Sequence, residues 1–380
     1  MDILMKNGYD IAQLVSCVLH NKQLNKEDIA SMSIPLIYQL SCKHSIPALV
    51  GTALKSCCGV ELPRDWEEAV ALAIVRHVQF ECERKAIVDF MKDNNIWHMP
   101  MKGLIVGELY PDAVYREMCD NDILYDPAGS KKLIKFMIEQ GYEIDYMSKD
   151  KHADGFTKFP YFGFELHKSF FMASHELWAE YYSDMDKFLI PDNDNPLQYH
   201  LSDEDFYVYM MLHTYKHYSQ SGTGIRSLID CYVYNLKKGE GLNWNYIAEE
   251  LKKLQIDQFE QDFRTIGNKL FGIEQCALTE EEERIFKYVL SSGTYGTHEH
   301  AVKNKMNQLA GDASNKKNKK YRYYWKRLFP DLLWFKGNVP FCYRHRWAIP
   351  FYYIYRIVCR GARHRKQIYS EVKTVKELER

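Results

Sequence analysis

The feature that most constrains the fold is a change of sequence pattern near residue 94. Residues 1–94 place apolar side chains at helical spacing, and residues 65–92 contain neither Gly nor Pro, so they predict one long helix. Between residues 95 and 170 the pattern changes to short apolar runs separated by turns, which is typical of strands. Helical spacing returns from Asp203 onward. We therefore predict an α+β fold with a small α/β core between amino-terminal and carboxy-terminal helical regions.

The central stretch divides into strands and one clear helix. Strands are predicted at residues 96–101, 120–125, 142–146 and 157–170. A helix of about ten residues is predicted to begin at Gly129-Ser130 and to end near Gly141, which suits a helix C-cap. In the last strand Phe162, Phe164 and Leu166 alternate with Gly163, Glu165 and His167, so one set faces a core and the other a cleft. The predicted regions are residues 1–94, 95–200, 201–311 and 312–380, and the last of them begins with a polar, charged linker at residues 312–320.

Asp120 and Asp122 are the candidate centre of a metal site. They lie two residues apart on a predicted strand, so both carboxylates share one face. Adjacent negative charges repel unless a cation lies between them, and Mg²⁺ prefers such oxygen ligands. Glu165 faces the cleft side of its own strand, and it completes a three-carboxylate site if the two strands are neighbours. A site of this kind supports phosphoryl displacement. A solvated strand end is the alternative for the Asp-x-Asp spacing alone.

Residues upstream of the two acids suit a phosphate group. Lys102 and Gly103 lie at a strand-to-helix turn, where Gly lets backbone amides approach a phosphate and the next helix N-terminus favours anions. Arg116 precedes Asp120 by four residues and can hold a phosphate bidentately. A surface ion pair is the alternative for Arg116.

These residues together resemble a known family. Residues 101–103, 109–112, 116–124 and 164–167 read Met-Lys-Gly, Leu-Tyr-Pro-Asp, Arg-x-Met-x-Asp-x-Asp-Ile-Leu and Phe-Glu-Leu-His. The set resembles the uncharacterised bacterial nucleotidyltransferase family of the DNA polymerase beta superfamily. The later helical stretch and the Leu-Phe-Pro of residues 328–330 are similar to that family too, so the resemblance covers most of the chain.

The resemblance implies a small mixed β-sheet with helices, a divalent-metal site and a nucleoside triphosphate such as ATP as donor. It makes Asp120 and Asp122 catalytic metal ligands, and Glu165 the third carboxylate, as ligand or general base. Lys102 and Gly103 correspond to the phosphate-contacting turn. We therefore expect an enzyme that uses Mg²⁺ or Mn²⁺ to move a nucleoside monophosphate to an acceptor, with release of pyrophosphate. The acceptor is left open among a small molecule, a sugar, a protein and RNA.

Three features differ from the wider superfamily. The turn is Lys-Gly rather than Gly-Gly or Gly-Ser, the gap from Gly103 to Asp120 is longer, and Asn121 stands where an apolar residue is usual. The alternative function is therefore a nucleotide-binding or interaction module that has lost catalysis.

Polar residues outside the acid cluster each leave two interpretations. His213 and His217, four residues apart on a predicted helix, are either packing histidines or substrate contacts. Arg226 and Asp230 have the same spacing and form either a structural ion pair or nucleotide contacts. His167 lies on the cleft side of the last predicted strand and is a candidate nucleotide-binding residue.

The net charge of −1 conceals a basic carboxy-terminal segment. Residues 315–366 contain 15 Lys or Arg and a single acid, Asp331, and they are rich in Tyr, Trp and Phe. One interpretation is that this segment docks on the acidic remainder of the chain. The others are contact with a membrane surface, as in envelope polysaccharide synthesis, and nucleic-acid binding.

Cysteine usage and the amino terminus predict the compartment. The ten cysteines are scattered without a Cys-x-x-Cys pair, and the first residues are too polar for a signal peptide. The sequence contains no uninterrupted run of 18 apolar residues, so no membrane span is predicted. We expect a cytoplasmic protein, with a peripheral position at the inner membrane face as the alternative.

Overall fold

The computed structural model describes residues 2–147, 152–310, 316–360, 369 and 371–375. It is mainly helical, with a mixed β-sheet in the middle of the chain, so the predicted α+β class agrees with it. No helix among the described residues is long and apolar enough to cross a lipid bilayer.

The chain begins with helices. They are α1 (Ile3–His20), α2 (Lys26–Ala30), α3 (Ile34–Lys43), α4 (Pro47–Thr52) and α5 (Arg64–Asp93). The long helix predicted over residues 65–92 is confirmed as α5. Asn25 caps α2, because its side chain accepts a hydrogen bond from the backbone N–H of Asp28 at 2.8 Å.

The central sheet contains the strands β1 (His98–Pro100), β2 (Asn121–Tyr125), β3 (Glu143–Met147), β4 (Ala153–Lys158) and β5 (Phe162–His167). Their order is β1-β2-β5-β4-β3. Only the central pair, β2 and β5, runs parallel among the described strands of this sheet. Helix α6 (Gly103–Gly107) follows β1, and α7 (Ser130–Glu139) connects β2 to β3. This arrangement puts residues from two segments distant in the sequence side by side at the centre of the sheet.

One predicted strand differs from the structure. Residues 157–170 were predicted as a single strand, but the chain turns at residues 159–161 and β5 ends at His167. Pro160 lies in that turn and has no backbone N–H for a ladder hydrogen bond, so the strand cannot continue through it. The first part of the predicted strand is the end of β4, which pairs antiparallel with β5.

The predicted alternation in β5 is confirmed. Phe162, Phe164 and Leu166 are buried against one face of the sheet. That face is covered by α5 and α7, whose buried contributions include Phe80, Ile87, Met91, Leu133 and Met137. The opposite side of the two strands carries Asp122 and Leu124 from β2 and Glu165 and His167 from β5.

The second half of the chain is helical again. Its elements are α8 (Glu176–Tyr181), the short paired strands β6 (Ile190–Pro191) and β7 (Tyr199–His200), then α9 (Asp203–Gln220), α10 (Ile225–Lys238), α11 (Trp244–Lys253), α12 (Asp257–Phe271), α13 (Glu280–Ser292) and α14 (His298–Ala310). Helix α1 packs against α12 and α13, so the amino-terminal helices share one hydrophobic core with these later helices. The division into four regions stays a prediction.

The carboxy-terminal segment is helical as well. It contains α15 (Lys316–Leu328), α16 (Leu332–Asn338), α17 (Pro340–Arg344) and α18 (Ile349–Tyr355). A polar linker was predicted over residues 312–320. Residues 316–320 instead belong to α15, in agreement with the good helix propensity of Lys, and residues 312–315 lie outside the described part.

Candidate metal and nucleotide site

Asp122 and Glu165 lie side by side on the two parallel strands. Asp122 of β2 is the direct register partner of Glu165 of β5. Their side chains line the same cleft, which has a volume of about 310 Å³. Asp122 is buried, whereas Glu165 is partly exposed. Asp122 and Glu165 therefore lie on neighbouring strands, as the metal site predicted from the sequence requires.

His167 completes a group of three side chains that could hold a metal ion. Its Nε2 atom lies 2.7 Å from Oδ1 of Asp122 and 3.4 Å from Oε2 of Glu165. Ligand atoms of all three residues lie within 4.8 Å of one another. The other ring nitrogen, Nδ1, is buried with no hydrogen-bond partner among the described residues, so nothing on that side fixes the tautomer. Nε2 can therefore donate to Asp122 or offer its lone pair to a cation. Two carboxylates and an imidazole suit a divalent ion.

Lys102 already supplies a positive charge to this group. Its Nζ lies 2.6 Å from Oδ1 of Asp122 and 4.0 Å from Oε2 of Glu165. Burial alone would raise the pKa of Asp122, but the charges and hydrogen bonds of Lys102 and His167 outweigh it and hold the pKa far below its ordinary value. Burial would likewise raise the pKa of Glu165, but the hydrogen bond of His167 and the charge of Lys102 outweigh it and lower the pKa to about 2. Both carboxylates are thus ionised at neutral pH, and an ammonium group lies where a metal cation would bind.

The backbone of Lys102 is strained. Its φ of 49° and ψ of −116° lie in a region that glycine adopts readily and other residues rarely do. Residues held in such conformations cost on the order of 1–3 kcal/mol, and they cluster at functional sites. With this backbone conformation, Lys102 lies directly before α6 and its side chain reaches Asp122.

Tyr146 holds the other oxygen of Glu165. Its hydroxyl donates to Oε1 of Glu165 at 2.7 Å. Burial and this carboxylate raise the pKa of Tyr146 well above its ordinary value, so the phenol stays protonated. Tyr146 was not singled out from the sequence, because it lies on the edge strand β3 and reaches the cleft across β4.

Asp120 lies just before β2 at the mouth of the cleft. It is exposed, and it is not part of the three-residue group found among the described residues. The protein packed around its carboxyl group and the neighbouring charge of Asp122 nevertheless raise its pKa. Metal binding by Asp120 stays a prediction.

Arg116 and Gly103 are packed against each other. The Nε and Nη2 atoms of Arg116 donate to the two oxygens of Asp230 at 3.0 and 2.8 Å, and Tyr110 also donates to Asp230. A Cβ atom at Gly103 would lie 2.1 Å from Nη1 of Arg116. Glycine is therefore required here to make room for the guanidinium group. Phosphate contacts by Gly103 and Arg116 stay a prediction.

The predicted ion pair between Arg226 and Asp230 is wrong. Arg226 instead donates from Nη1 to the backbone carbonyl of Glu117 at 2.6 Å, and Asp230 is bound by Arg116. Helical spacing could not reveal this, because Arg116 is 114 residues away in the sequence.

Helix α9 forms the wall opposite the carboxylates. His213, Lys216 and His217 line the cleft on this helix. Nε2 of His213 lies 3.1 Å from Nε2 of His217, and burial lowers the pKa of both rings, to about 3 for His217. These histidines are therefore neutral at physiological pH, and their ring nitrogens contact each other.

Lys216 is the cation of this wall. Burial, followed by the charge of Lys102, lowers its pKa to about 8. Its ammonium group forms no salt bridge with the residues that the structure describes. Sequence reasoning missed Lys216, although its position three residues after His213 places it on the same side of the helix.

Comparison with known proteins identifies a family for this chain. A family model described as "Uncharacterised nucleotidyltransferase" matches residues 31–272, which is more than half of the chain and includes every cleft residue discussed above. No curated protein and no solved structure matches.

Proposed function

The chain belongs to the uncharacterised nucleotidyltransferase family, and we propose that it transfers a nucleoside monophosphate from a nucleoside triphosphate to an acceptor, with release of pyrophosphate. One observation carries this proposal. Asp122 and Glu165 are register partners on adjacent parallel strands, and they face a cleft whose other wall bears Lys216, which forms no salt bridge with the residues that the structure describes. A cation site opposite a positive wall is what a metal-bound polyphosphate needs.

Asp122, Glu165 and His167 would hold a divalent cation, either Mg²⁺ or Mn²⁺. When bound, such an ion neutralises charge on the phosphates and aligns the attacking and leaving oxygens. Asp120 is left either to complete the ligand set or to accept the proton of the acceptor hydroxyl. Its raised pKa favours the second role, since Glu165 with a pKa of about 2 is a weak base.

The proposed step is an in-line displacement at the α-phosphorus. The acceptor oxygen forms the new bond to phosphorus while its proton passes to a cleft carboxylate. The bond from the α-phosphorus to the α,β-bridging oxygen breaks, and pyrophosphate leaves with the electron pair. The protein contributes mainly by positioning and by electrostatic stabilisation of the phosphates.

Two lysines would serve the phosphates. Lys102 must leave Asp122 when a cation binds there, and its ammonium group is then free for a phosphate oxygen of the donor. Lys216 faces the carboxylates across the cleft and is suited to the leaving pyrophosphate. His167 is proposed to hold the cation as well as to contact the nucleotide, which widens the role predicted from the sequence.

Product formation from labelled triphosphates tests the proposal. The chain is incubated with Mg²⁺, each of ATP, CTP, GTP and UTP, and a cell extract as the acceptor source, and products are identified by mass spectrometry. Asp122→Asn and Glu165→Gln are each expected to lower turnover by at least roughly 100-fold, the scale of losing one electrostatic contact in a transition state. Glu139→Gln changes an exposed carboxylate on α7 and serves as the matched control. Full turnover in a folded Asp122→Asn variant would contradict the assignment.

A nucleotide-binding module without catalysis is the second candidate. The position of Lys102 on Asp122 favours it, because the ammonium group fills the cation position. This candidate predicts triphosphate binding, measured by calorimetry, with no pyrophosphate release in any extract. Release of pyrophosphate by the native chain but not by Asp122→Asn would exclude it.

The finer assignments belong to the same proposal. They are membership of the DNA polymerase beta superfamily, a bacterial origin and a place in the cytoplasm, with a peripheral position at the inner membrane face as the alternative. The ten cysteines, all of them free thiols, support a reducing compartment.

A further inference from the structure

The carboxy-terminal helices present an exposed apolar surface, which we call the aromatic face. Its members are exposed by half or more of their surface: Phe341 58%, Trp347 68%, Phe351 67%, Ile354 62%, Tyr355 51% and Val358 63%. From Trp347 to Val358 these residues recur every three or four positions, so they follow one side of the helical run that includes α18. Isolated exposed apolar residues are ordinary, whereas a continuous row of this size marks an interaction site.

The orientation of this helical run is fixed from the other side. Tyr352 and Tyr353 pack their rings against Phe335, which is fully buried. The Arg356 guanidinium lies 4.6 Å from the centre of the Trp334 ring. The inner side of the run thus belongs to a small hydrophobic core within the carboxy-terminal segment, so the aromatic face cannot turn inward without breaking it.

The surroundings of the aromatic face are basic. Arg346 directly precedes Trp347, Arg344 follows Phe341 by three residues, and both arginines are exposed. The wider segment 315–366 carries 15 Lys or Arg against one acid. A second copy of the same segment would meet strong like-charge repulsion, so an anionic partner is favoured.

The chemistry of the face distinguishes among anionic partners. Bases of a nucleic acid stack on aromatic rings, but Ile354 and Val358 offer them no such surface. The carboxylates of an acidic protein surface would pair with the arginines, but they would leave the apolar side chains of the aromatic face exposed. Trp, Tyr and Phe beside Arg match the boundary between lipid headgroups and acyl chains. The run from Trp347 to Val358 is also shorter than the roughly 20 residues that span a bilayer, so it lies along the surface.

We propose that the aromatic face docks on an anionic lipid bilayer, with its apolar side chains below the headgroups and the flanking arginines at the lipid phosphates. The docking does not depend on catalysis, and its test uses no nucleotide.

Flotation of the full chain with lipid vesicles tests the proposal. Vesicles of phosphatidylcholine alone are compared with vesicles containing phosphatidylglycerol, at low and high salt. Binding is expected with the anionic vesicles and is expected to weaken as salt screens the arginines. The triple variant Trp347→Ser, Phe351→Ser, Ile354→Ser is expected to bind at least about tenfold less, and Arg344→Gln with Arg346→Gln roughly tenfold less.

A matched control is available on α5. Leu72, Val75 and Val78 are exposed by 49%, 49% and 53%, and their replacement by Ser is expected to leave flotation unchanged. All variants replace exposed side chains, and circular dichroism checks that each is folded. Failure of the native chain to float with anionic vesicles would overturn the proposal, as would equal flotation of the triple variant. Two other results would also overturn it: binding to oligonucleotides but not vesicles, and self-association that the triple variant abolishes without any vesicle binding.

Discussion

Replacing Lys102 by Met tests whether its ammonium group competes with a metal cation. Lys102 lies 2.6 Å from Oδ1 of Asp122, the oxygen that also faces His167. For a divalent ion to bind this oxygen in place of the ammonium group, the hydrogen bond from Lys102 to Asp122 must break. A hydrogen bond to a charged group contributes about 1.5–3 kcal/mol, and 1.4 kcal/mol corresponds to a tenfold change in an equilibrium constant. Lys102→Met is therefore expected to tighten metal binding by roughly 10- to 100-fold.

The same variant should be less stable without metal. Removing one member of a buried ion pair costs about 3–5 kcal/mol, and His167 remains to bind Asp122, so the lower end of that range applies. Added metal then replaces the missing charge. Without metal, the unfolding temperature of Lys102→Met is expected to be lower than that of the native chain. It is expected to rise more than that of the native chain when Mn²⁺ or Mg²⁺ is added.

Calorimetric titration with Mn²⁺ and Mg²⁺ gives the affinities, and thermal unfolding gives the stabilities. Lys158→Met is the matched control, because Lys158 binds both oxygens of Glu83 at 2.8 and 2.9 Å, away from the cleft. It should lower stability without changing metal affinity. If folded Lys102→Met binds Mn²⁺ no more tightly than the native chain, Lys102 does not occupy the cation position.

Three further predictions concern the cleft wall, the turn and the core. Lys216→Met should weaken triphosphate binding about tenfold or more. The pKa of Lys216 is about 8, so its side chain loses its charge as the pH rises through that value, and triphosphate binding by the native chain should fall. Lys216→Arg should keep binding above that pH, measured by calorimetry across pH. Gly103→Ala should destabilise the fold by about 1–3 kcal/mol in urea unfolding, because its Cβ would displace Arg116 from its ion pair. Burial lowers the pKa of His44 from 6.5 to about 4. The folded state should therefore lose about 3 kcal/mol of stability as the pH falls from 6.5 to 4. The unfolded chain takes up that proton first, so His44→Asn should flatten the dependence of urea stability on pH.

The predictions for Lys216 and Gly103 each have a matched control. Lys237→Met removes an exposed lysine of α10 and should not alter triphosphate binding. Gly107→Ala adds a Cβ that would approach Arg116 no closer than 3.8 Å, so it should not destabilise α6. Binding that does not change between pH 7 and 9, a Gly103→Ala variant as stable as Gly107→Ala, or equal pH slopes for native and His44→Asn chains would each contradict its argument.

The sequence was sufficient for elements that depend on local pattern. The absence of Gly and Pro predicted α5, and period-two alternation predicted which side of β5 is buried. The same alternation put Glu165 on the cleft side, and the structure brings Asp122 next to it. These predictions agree with the structure because each rests on neighbours that are close in the chain.

Contacts between distant segments could not be predicted in the same way. The pairing of Arg116 with Asp230 depends on how α10 packs over the turn, and nothing in either local sequence specifies it. The position of Lys102 on Asp122 depends on a backbone conformation unusual for lysine, which propensity argues against. The helical spacing of Lys216 and His213 places them on one side of α9, but only the packing of distant segments puts that side on the same cleft as the carboxylates.

The register between β2 and β5 links the fold to the cleft. Ile123 pairs with Leu166, and both side chains are buried in the core between the sheet and its covering helices. Asp122 and Glu165 precede them by one residue and therefore point the opposite way, into the cleft. A slip of one residue in either strand would turn its apolar side chains toward solvent and its acid into the core, so burial strongly specifies this register. The distance between the two carboxylates is thus set by the hydrophobic core, while Lys102 and His167 contact Asp122 directly and Lys216 adds a further positive charge to the cleft.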